Sequence, residues 1–466
     1  MADLAVEETP IPGLLQIRLD LRTDDRGWFL EGWQREKMTA LGVPDFGPVQ
    51  ANVAWNASRG TTRGMHAEPW DKLVTVVSGR AYAAWVDLRE GAAFGATFTV
   101  DLEPGVAVFV PRGVANGYQT LADSTTYTYL VNDHWRPDLD YLAVDPDDPD
   151  LGFAWPVADS GQTMSERDRS APRLSTITPV PARRPLVLGA EGQLGRALMH
   201  EFPGALGIDI DQLDLTDIEG VGRWPWAEHD VVLNAAAYTA VDAAETSEGR
   251  RTAWALNAEA PAALARLSVR HGFTLVHYST DYVFDGSRDE HREDEVLSPL
   301  GVYGQSKAGG DLAVAAAARH YLMRTSWLVG DGPNFVRTMA RLAGEGATPA
   351  VVSDQVGRLT FANEVARATR HLLDTGAPYG TYHVSNGGPP MSWAQVAREV
   401  FVLCGREAED VTPVTTEEYA AGRDLAPRPR SSMLGLDRIR ATGFEPRDAL
   451  TALRDYWGDY GDSSRP

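Results

Sequence analysis

A tyrosine and a lysine four residues apart form the most specific chemical pattern in this sequence. In Tyr303-Gly-Gln-Ser-Lys307 the two side chains would share one face of a helix, where the ammonium can stabilise a phenolate. Thr280 stands at the C-terminal end of a predicted strand, where open α/β sheets bind their ligands. Hydroxyl, phenol and ammonium together could deliver a proton to a carbonyl that is being reduced. The alternative, a solvent-exposed Tyr/Lys pair, leaves Thr280 without explanation.

Three glycines after a short apolar strand are typical of dinucleotide binding. Gly189, Gly192 and Gly195 follow Leu186-Val-Leu and open a predicted helix. Such glycines allow a tight turn and a close approach to a pyrophosphate, which the helix N-terminus also favours. Asp209, at the end of the next predicted strand, could bind the adenosine ribose hydroxyls; a solvated turn residue is the alternative.

The first half of the chain contains the two-part spacing of a cupin barrel. This spacing is formed by Gly60, His66, Gly105, Pro111, Gly113 and Asn116. The positions that bind a metal in metal-dependent cupins hold His66, Glu68, Lys72 and Asn116. Because the ammonium of Lys72 would repel a divalent cation, we expect no metal here and interpret His66 as a base. An ordinary, partly buried histidine is the alternative.

The elements that position these residues differ between the halves. Residues 15–135 contain short alternating runs separated by turns, which predict an antiparallel, all-β sandwich or barrel of the jelly-roll type. From Leu186 onward buried strands alternate with helices, which predicts a doubly wound parallel sheet of the Rossmann type. A proline-rich strip lies between them. We therefore expect domains over 1–178 and 186–466, joined by a linker over 179–185.

Composition narrows the classes of function. The chain has 466 residues and a net charge of −22, and a surface so acidic disfavours nucleic acid and anionic membranes as partners. Its one cysteine, Cys404, cannot form an internal disulfide. The N-terminus has acidic residues where a signal peptide is basic, and no apolar run could span a bilayer. We expect a cytoplasmic protein.

The second half resembles the extended short-chain dehydrogenases and, among them, the dTDP-4-dehydrorhamnose reductases. Beyond the glycine loop the resemblance rests on Asp214-Leu-Thr-Asp217, Asn234-Ala-Ala-Ala-Tyr-Thr-Ala-Val-Asp242, the Ser-Thr-Asp-Tyr-Val-Phe segment, Arg324-Thr-Ser-Trp327, Asn334-Phe335, Asp354-Gln-Val-Gly357 and Arg428-Pro-Arg. It implies NADPH or NADH as cofactor, with Lys307 on the ribose and a cofactor lining of Gln193, Leu194, Asp214, Leu215, Ala236, Ala237, Tyr238 and Tyr278. It also implies that Thr280, Asp281 and Trp327 face the sugar. Asp311 departs from the family, which usually has Glu there and an acidic magnesium contact between subunits.

The first half is similar to the dTDP-4-dehydrorhamnose 3,5-epimerases. The similarity rests on Asp25-Arg-Gly-Trp-Phe-Leu-Glu31, Gln50-Ala-Asn52, Arg63-Gly-Met-His66, Lys72-Leu-Val, Gly113-Val-Ala-Asn-Gly-Tyr118, Tyr129 and Ser165-Glu-Arg-Asp168. It implies that His66 with Asp168 is the base, Tyr129 the acid and Lys72 the group that stabilises an enolate. The implied substrate contacts are Arg26, Glu31, Gln50, Asn52, Arg63, Asn116 and Arg167. Tyr127 shares a strand face with Tyr129 and is the alternative acid.

The two resemblances name consecutive reactions on one dTDP-4-keto-6-deoxysugar, epimerisation and then reduction at C4. We therefore predict a bifunctional enzyme, acting as a homodimer, that makes dTDP-L-rhamnose. Two alternatives remain at this point: the same chemistry on another dTDP-deoxysugar, with a single epimerisation or the opposite C4 stereochemistry, and a non-catalytic nucleotide-sugar or dinucleotide sensor. Asp209 favours NADH, whereas Arg196 could accept the phosphate of NADPH.

Overall fold

A computed structural model describes residues 4–135, 141–158 and 161–463. The contacts between residues divide the chain into two compact units, Met1–Ala182 and Arg183–Pro466. No helix among the described residues is long and apolar enough to cross a membrane.

The first unit is built mainly from short strands. Its elements are β1 Ala5–Glu8, β2 Leu15–Arg18, β3 Arg22–Asp24, β4 Gly27–Phe29, α1 Arg35–Ala40, β5 Gln50–Asn56, β6 Thr62–Ala67, β7 Lys72–Ser78, β8 Ala81–Asp87, β9 Thr97–Leu102, β10 Val106–Val110, β11 Val114–Thr120, β12 Thr125–Val131, β13 Leu142–Ala143 and α2 Glu166–Arg169.

Two antiparallel sheets form the body of this unit. One has the order β1-β2-β10-β7-β12-β5 and the other β13-β6-β11-β8-β9, and β3 and β4 form a separate hairpin. Alternate residues of each strand point to one face, so Val74 and Val76 from the first sheet meet Ala83 and Trp85 from the second in a shared core. The polar pocket described below is lined by residues from both sheets.

The second unit alternates strands and helices. Its elements are β14 Leu186–Leu188, α3 Gln193–Glu201, β15 Leu206–Ile208, α4 Ile218–Arg223, β16 Val231–Asn234, α5 Ser247–Trp254, α6 Ala260–His271, β17 Thr274–Thr280, α7 Val302–Ala315, β18 His320–Thr325, β19 Leu328–Val329, α8 Phe335–Gly344, β20 Ala350–Val352, β21 Val356–Gly357, β22 Thr360–Phe361, α9 Ala362–Asp374, β23 Gly380–His383, β24 Met391–Ser392, α10 Trp393–Leu403, β25 Thr412–Val414, α11 Thr416–Ala420, α12 Asp437–Arg440 and α13 Ala449–Ser463.

The parallel sheet predicted for the second half is confirmed. Six strands pair in parallel in the order β15-β14-β16-β17-β18-β23. Leu233 and Val276 face α3 and α9, whereas Val232 and Leu275 face α6 and α7, so both faces of the sheet are covered by helices. The C-terminal ends of β14, β16 and β17 therefore meet at one edge of the sheet, where the glycine loop and Thr280 lie.

The segment before the second unit belongs structurally to the first. Val180 exchanges backbone hydrogen bonds with Leu88 and Glu90, and Leu174 and Ile177 pack in the apolar cluster beneath them. On the other side, the backbone N–H of Arg184 donates to Glu228 of the second unit. The part of the chain between these two attachments is thus only residues 181–183, shorter than the linker expected from the proline content.

Candidate active sites

A cavity of about 560 Å³ in the first unit brings together residues from six elements. His66 lies on β6, and its Nε2 is 2.8 Å from Oδ1 of Asp168 in α2. The hydroxyl of Ser165 caps α2 by accepting from the backbone N–H of Asp168, which fixes the direction of the helix. Burial opposes ionisation of Asp168, but the interactions with His66 together with the hydrogen bonds of Ser165 and Gly64 outweigh it and lower the pKa of this carboxyl. An ionised Asp168 therefore orients the imidazole.

A buried ammonium faces this pair across the cavity. Lys72, the first residue of β7, forms an ion pair with Glu68 and donates a hydrogen bond to Oδ1 of Asn116 at 2.5 Å. Its side chain is only 4% exposed. Asn116 is the register partner of His66 on the neighbouring strand β11, which places an amide where metal-binding cupins have a ligand. The cation and the amide bind each other, and Glu68 neutralises the charge.

The two candidate acids on β12 occupy different environments. Tyr127 is 2% exposed and stacks on Tyr118 with ring centroids 4.1 Å apart, and burial raises its pKa well above the usual value. Tyr129 is more open to the cavity, and the ammonium of Lys72 lies 5.9 Å from its ring centroid. Burial and Glu68 raise the pKa of Tyr129, and Arg63 opposes them. The greater access of Tyr129 favours it as the group that meets a substrate.

The substrate residues expected in the first unit divide into two sets. Arg63, Asn116 and Arg167 line the cavity with His66. The other four expected contacts lie outside its lining: Arg26, Glu31, Gln50 and Asn52. Arg26 pairs with Asp24 in the β3/β4 hairpin, Glu31 pairs with Lys37, and the Gln50 amide donates to Asn52 at 2.9 Å on β5. A single chain does not bring these four to the base.

The second unit contains a cavity of about 580 Å³ at the C-terminal edge of its parallel sheet. Thr280 ends β17, and Tyr303 and Lys307 lie one turn apart on α7, so all three line this cavity. Lys307 is 2% exposed and donates to the backbone oxygen of Tyr278 at 2.7 Å. Burial lowers the pKa of Lys307 to about 8, with Asp311 opposing. Burial raises the pKa of Tyr303 above its usual value, and a hydrogen bond with Thr280 opposes the rise.

Asp281 and two tryptophans complete the wall of this second cavity. Burial raises the pKa of Asp281 to about 6, opposed by hydrogen bonds from Ser432 and Thr280. Trp327 has a left-handed backbone, with φ of 48°, and its ring stacks on Trp393 with centroids 3.6 Å apart. Trp393 was missed by the sequence analysis because no local pattern links this first residue of α10 to Trp327, which lies between β18 and β19. The stacked pair gives the cavity a flat apolar surface.

The glycine loop has the geometry of a cradle for a pyrophosphate. Gly189 has φ of +75°, and a Cβ on Gly195 would lie 2.0 Å from the backbone oxygen of Gly189. Only glycine allows the turn and the close approach of α3 to the strand. Gln193 and Leu194 of the following helix line the cavity, as does Ala237 after β16.

Several cofactor contacts expected from the sequence are placed differently. The carboxylate of Asp209 accepts from the backbone N–H of Glu191 at 3.0 Å, so it stabilises the glycine loop from behind. Asp214 accepts from Thr216, and Leu215 is in the core beneath the sheet. Ala236 also packs against that core, and Tyr238 is outside the cavity lining. Tyr278 lines the cavity, but its hydroxyl is bonded to Thr369 on α9 at 3.0 Å.

Asp311 lies inside the protein. It is 1% exposed and forms an ion pair of 2.8 Å with Arg324 on β18. A carboxylate buried in this way has no access to a magnesium ion between subunits. Within the described part of the chain, no group of three or more His, Cys, Asp or Glu side chains is arranged to hold a metal ion.

The geometry defines a chain with two acid/base sites of different kinds. One is a histidine, lysine and tyrosine set in a β-sheet pocket, and the other is a Thr/Tyr/Lys set beside a dinucleotide cradle, as in short-chain dehydrogenases.

Comparison with known proteins agrees with this division into two kinds of site. The model of the RmlD substrate binding domain matches residues 183–460, and the model of dTDP-4-dehydrorhamnose 3,5-epimerase matches residues 8–176. The chain therefore belongs to the RmlD family over its second unit and to the dTDP-4-dehydrorhamnose 3,5-epimerase family over its first, which confirms both resemblances.

Individual relatives match one unit each. A protein from Streptococcus pyogenes described as an RmlC homolog is 44% identical over 36% of this chain and 89% of its own length. A probable dTDP-4,6-dihydroxy-2-methyloxan-3-one 4-ketoreductase from Streptomyces antibioticus is 42% identical over 59% of this chain and 94% of its own. The crystal structure of dTDP-4-dehydrorhamnose reductase from Bacillus anthracis in complex with NADP is 34% identical, covers 60% of this chain and 99% of that one, and has a TM-score of 0.55.

Proposed function

We propose that this chain catalyses two consecutive reactions of dTDP-L-rhamnose synthesis. The first unit epimerises C3 and C5 of dTDP-4-dehydro-6-deoxy-D-glucose, and the second reduces the C4 ketone with a nicotinamide cofactor. The observation that supports this most strongly is that each unit has a complete acid/base set around its own cavity. A protein that only senses nucleotide-sugars would not need either set.

In the first unit, His66 acts as the base. Its Nε2 is held by Asp168, so Nδ1 keeps a lone pair that can take a proton from the carbon beside the C4 carbonyl. The buried ammonium of Lys72 stabilises the enolate oxygen that forms. Tyr129 then returns a proton to the same carbon from the opposite face, which inverts it. Exchange with solvent then removes the proton from His66 and restores that of Tyr129, and repetition at the second carbon completes the epimerisation.

In the second unit, Tyr303 is the acid and Lys307 supports it. A bound nicotinamide dinucleotide would supply the hydride to C4, and the glycine loop, Gln193 and Leu194 would hold it. Tyr303 donates a proton to the C4 oxygen, while Thr280 fixes the phenol by a hydrogen bond. The ammonium of Lys307 stabilises the phenolate that remains. The stacked tryptophans and Asp281 would form the walls around the sugar.

We further propose NADPH rather than NADH. Arg196 lines the second cavity next to the glycine loop and is half-exposed, so its guanidinium can donate hydrogen bonds to a phosphate. Asp209, which would select an unphosphorylated ribose, is already bonded to Glu191. The complex of the Bacillus anthracis reductase with NADP also supports this choice.

The domain boundaries, the fold of the first unit and the oligomer are proposals of the same kind. We assign 1–178 to a cupin-type jelly roll and 186–466 to the reductase, which the two antiparallel sheets and the parallel sheet support. Within the 179–185 connection Val180 still pairs with the first unit and Arg184 with the second, so the linker proper narrows to 181–183. We propose a homodimer because β5 is an edge strand that exposes Val53 and Trp55 to 71% and 61%.

The decisive experiment supplies the full chain with dTDP-4-keto-6-deoxyglucose and NADPH or NADH, and identifies the product by NMR. We expect dTDP-L-rhamnose, with solvent deuterium at C3 and C5 when the reaction is run in D₂O. If the product is a different deoxysugar, the assigned stereochemistry is wrong. Binding without turnover would overturn the enzymatic proposal.

A further inference from the structure

We propose that Asn234 and His277 are positioning residues that set the orientation of the Lys307 ammonium in the reductase site. Neither belongs to the expected catalytic set, and neither lines the cavity. The inference rests on the proposed reduction and adds to it a buried support for its lysine.

The sheet places these two residues side by side, with His277 next to the lysine. Asn234 on β16 and His277 on β17 are register partners in neighbouring parallel strands. Their side chains point to the face of the sheet covered by α6 and α7, the same face as Val232 and Leu275. Asn234 is 1% exposed and His277 0%, so water does not compete for their polar atoms.

The contacts of Lys307 use two of its three N–H donors. One hydrogen bond goes to the backbone oxygen of Tyr278 at 2.7 Å, and Nε2 of His277 lies 3.4 Å from the same ammonium. An ammonium has three donors and no acceptor. If both residues of β17 accept, one N–H remains and its direction into the cavity is determined.

Asn234 decides whether His277 can accept. Its amide nitrogen lies 3.1 Å from Nδ1 of His277, whereas its buried amide oxygen has no hydrogen-bond partner, so we infer the amide turned by 180°. With the amide oxygen on that side, Nδ1 carries the hydrogen and Nε2 presents its lone pair to Lys307; the amide has the same shape in either orientation. Burial and the charge of Lys307 keep the pKa of His277 well below its usual value, so the imidazole stays neutral, as an acceptor must.

The charged and titratable groups around Lys307 come from three elements. They are Tyr303 and Asp311 on α7, His277 and Tyr278 on β17, and Arg324 on β18, which neutralises Asp311. Among the groups on β17, only His277 offers a side-chain acceptor to the ammonium. Because an acceptor favours the charged form of lysine, its loss should lower the pKa of Lys307 further.

The test compares full-length variants by their reduction of separately prepared, already epimerised dTDP-4-keto sugar with NADPH. His277→Phe keeps the ring volume and removes the acceptor; we expect kcat to fall about 10- to 100-fold, with little change in the KM of the sugar. The alkaline loss of kcat should also begin at a lower pH than in the wild type. His277→Gln, whose amide oxygen can accept from Lys307, should recover much of kcat and the original pH profile.

A control removes a buried imidazole elsewhere in the same sheet region. His229→Phe changes a fully buried histidine just before β16, whose ring is bonded to Arg184. We expect it to change thermal stability without moving the pH profile. If His277→Phe does not fold, Asn234→Leu tests the same chain of contacts and should shift the profile in the same direction.

The outcomes separate this inference from the proposed function. If the wild-type chain reduces no 4-keto sugar, the proposed function itself fails. If the wild type is active and His277→Phe keeps its kcat and its pH profile, the positioning role is wrong. The role is also wrong if His277→Gln is as impaired as His277→Phe at equal stability, because the acceptor would then be irrelevant.

Discussion

The imidazole of His66 lies 2.8 Å from the carboxylate of Asp168, although 102 residues separate them in the chain. His66 is on a strand, and Asp168 is on a four-residue helix that lines the same pocket. Ser165 directs that helix by capping it. The proposed base of the first unit is thus assembled from two distant segments of the chain.

His66 and Tyr129 should fail differently when they are changed. His66→Ala removes the base, so we expect proton exchange at C3 and C5 to fall by about 100-fold or more. Tyr129→Phe leaves the base, so deuterium should still enter while inversion is lost. NMR in D₂O measures both quantities. Tyr82→Phe, on strand β8 of the second sheet and outside the pocket, is the matched control. Normal inversion by Tyr129→Phe would move the role of acid to Tyr127.

Epimerisation should not depend on a metal. Lys72 is paired with Glu68 and bonded to Asn116, so a cation and an amide take positions that ligands would need. We expect EDTA to leave the rate of deuterium exchange unchanged. A loss of exchange that a divalent ion restores would contradict this interpretation of the pocket.

Tyr303→Phe should abolish reduction and preserve cofactor binding. In the proposed mechanism the phenol acts on the C4 oxygen, whereas the glycine loop and Lys307 would hold the dinucleotide. We expect kcat to fall by about 100-fold or more, with an NADPH affinity close to that of the wild type in a fluorescence titration. Tyr379→Phe, whose hydroxyl contacts Thr274 at the other end of β17, should remain fully active. Turnover near the wild-type rate in Tyr303→Phe would exclude this phenol as the acid.

Lys307→Met should inactivate the reductase without destabilising it at neutral pH. A pKa of about 8, against 10.5 for an ordinary lysine, means that the folded chain binds the proton less tightly than the unfolded chain. The difference corresponds to on the order of 3 kcal/mol of destabilisation by the buried charge below pH 8. That cost is relieved as pH rises from about 8 to 10.5.

We therefore expect calorimetry at pH 7 to show that the second unit unfolds at a temperature no lower in Lys307→Met than in the wild type. The difference between the two proteins should shrink as the pH approaches 10.5. A variant that is less stable than the wild type at pH 7, by a margin independent of pH, would show that the ammonium stabilises the fold.

The point at which the chain is cut between the units should determine the stability of the first-unit fragment. A fragment of residues 1–182 keeps Leu174, Ile177 and Val180 on the first unit, whereas a fragment that ends at Ser170 loses them. Their removal exposes apolar surface, and we expect the shorter fragment to be less stable by a few kcal/mol, on the order of one or two buried side chains. Urea unfolding of both fragments measures the difference. Equal stability would mean that the segment contributes nothing to the first unit.

Local patterns in the sequence were sufficient for much of the molecule. The parallel sheet follows from buried strands alternating with amphipathic helices, because each element's periodicity is written into its own residues. Local patterns were also sufficient to predict the catalytic candidates that line the second cavity. Tyr303 and Lys307 meet because one helical turn separates them, and Thr280 joins them because it ends a strand of the parallel sheet.

Contacts between distant segments were decided only by the tertiary structure. The turn of Asp209 towards Glu191, the burial of Asp311 against Arg324 and the stacking of Trp393 on Trp327 each depend on how separate elements pack. The same is true of Arg26 and Glu31, which similarity assigns to the substrate but which a single chain leaves on its surface. Spacing along the chain determines which residues share a face of one element; which side chain of another element then meets that face depends on packing across the whole unit.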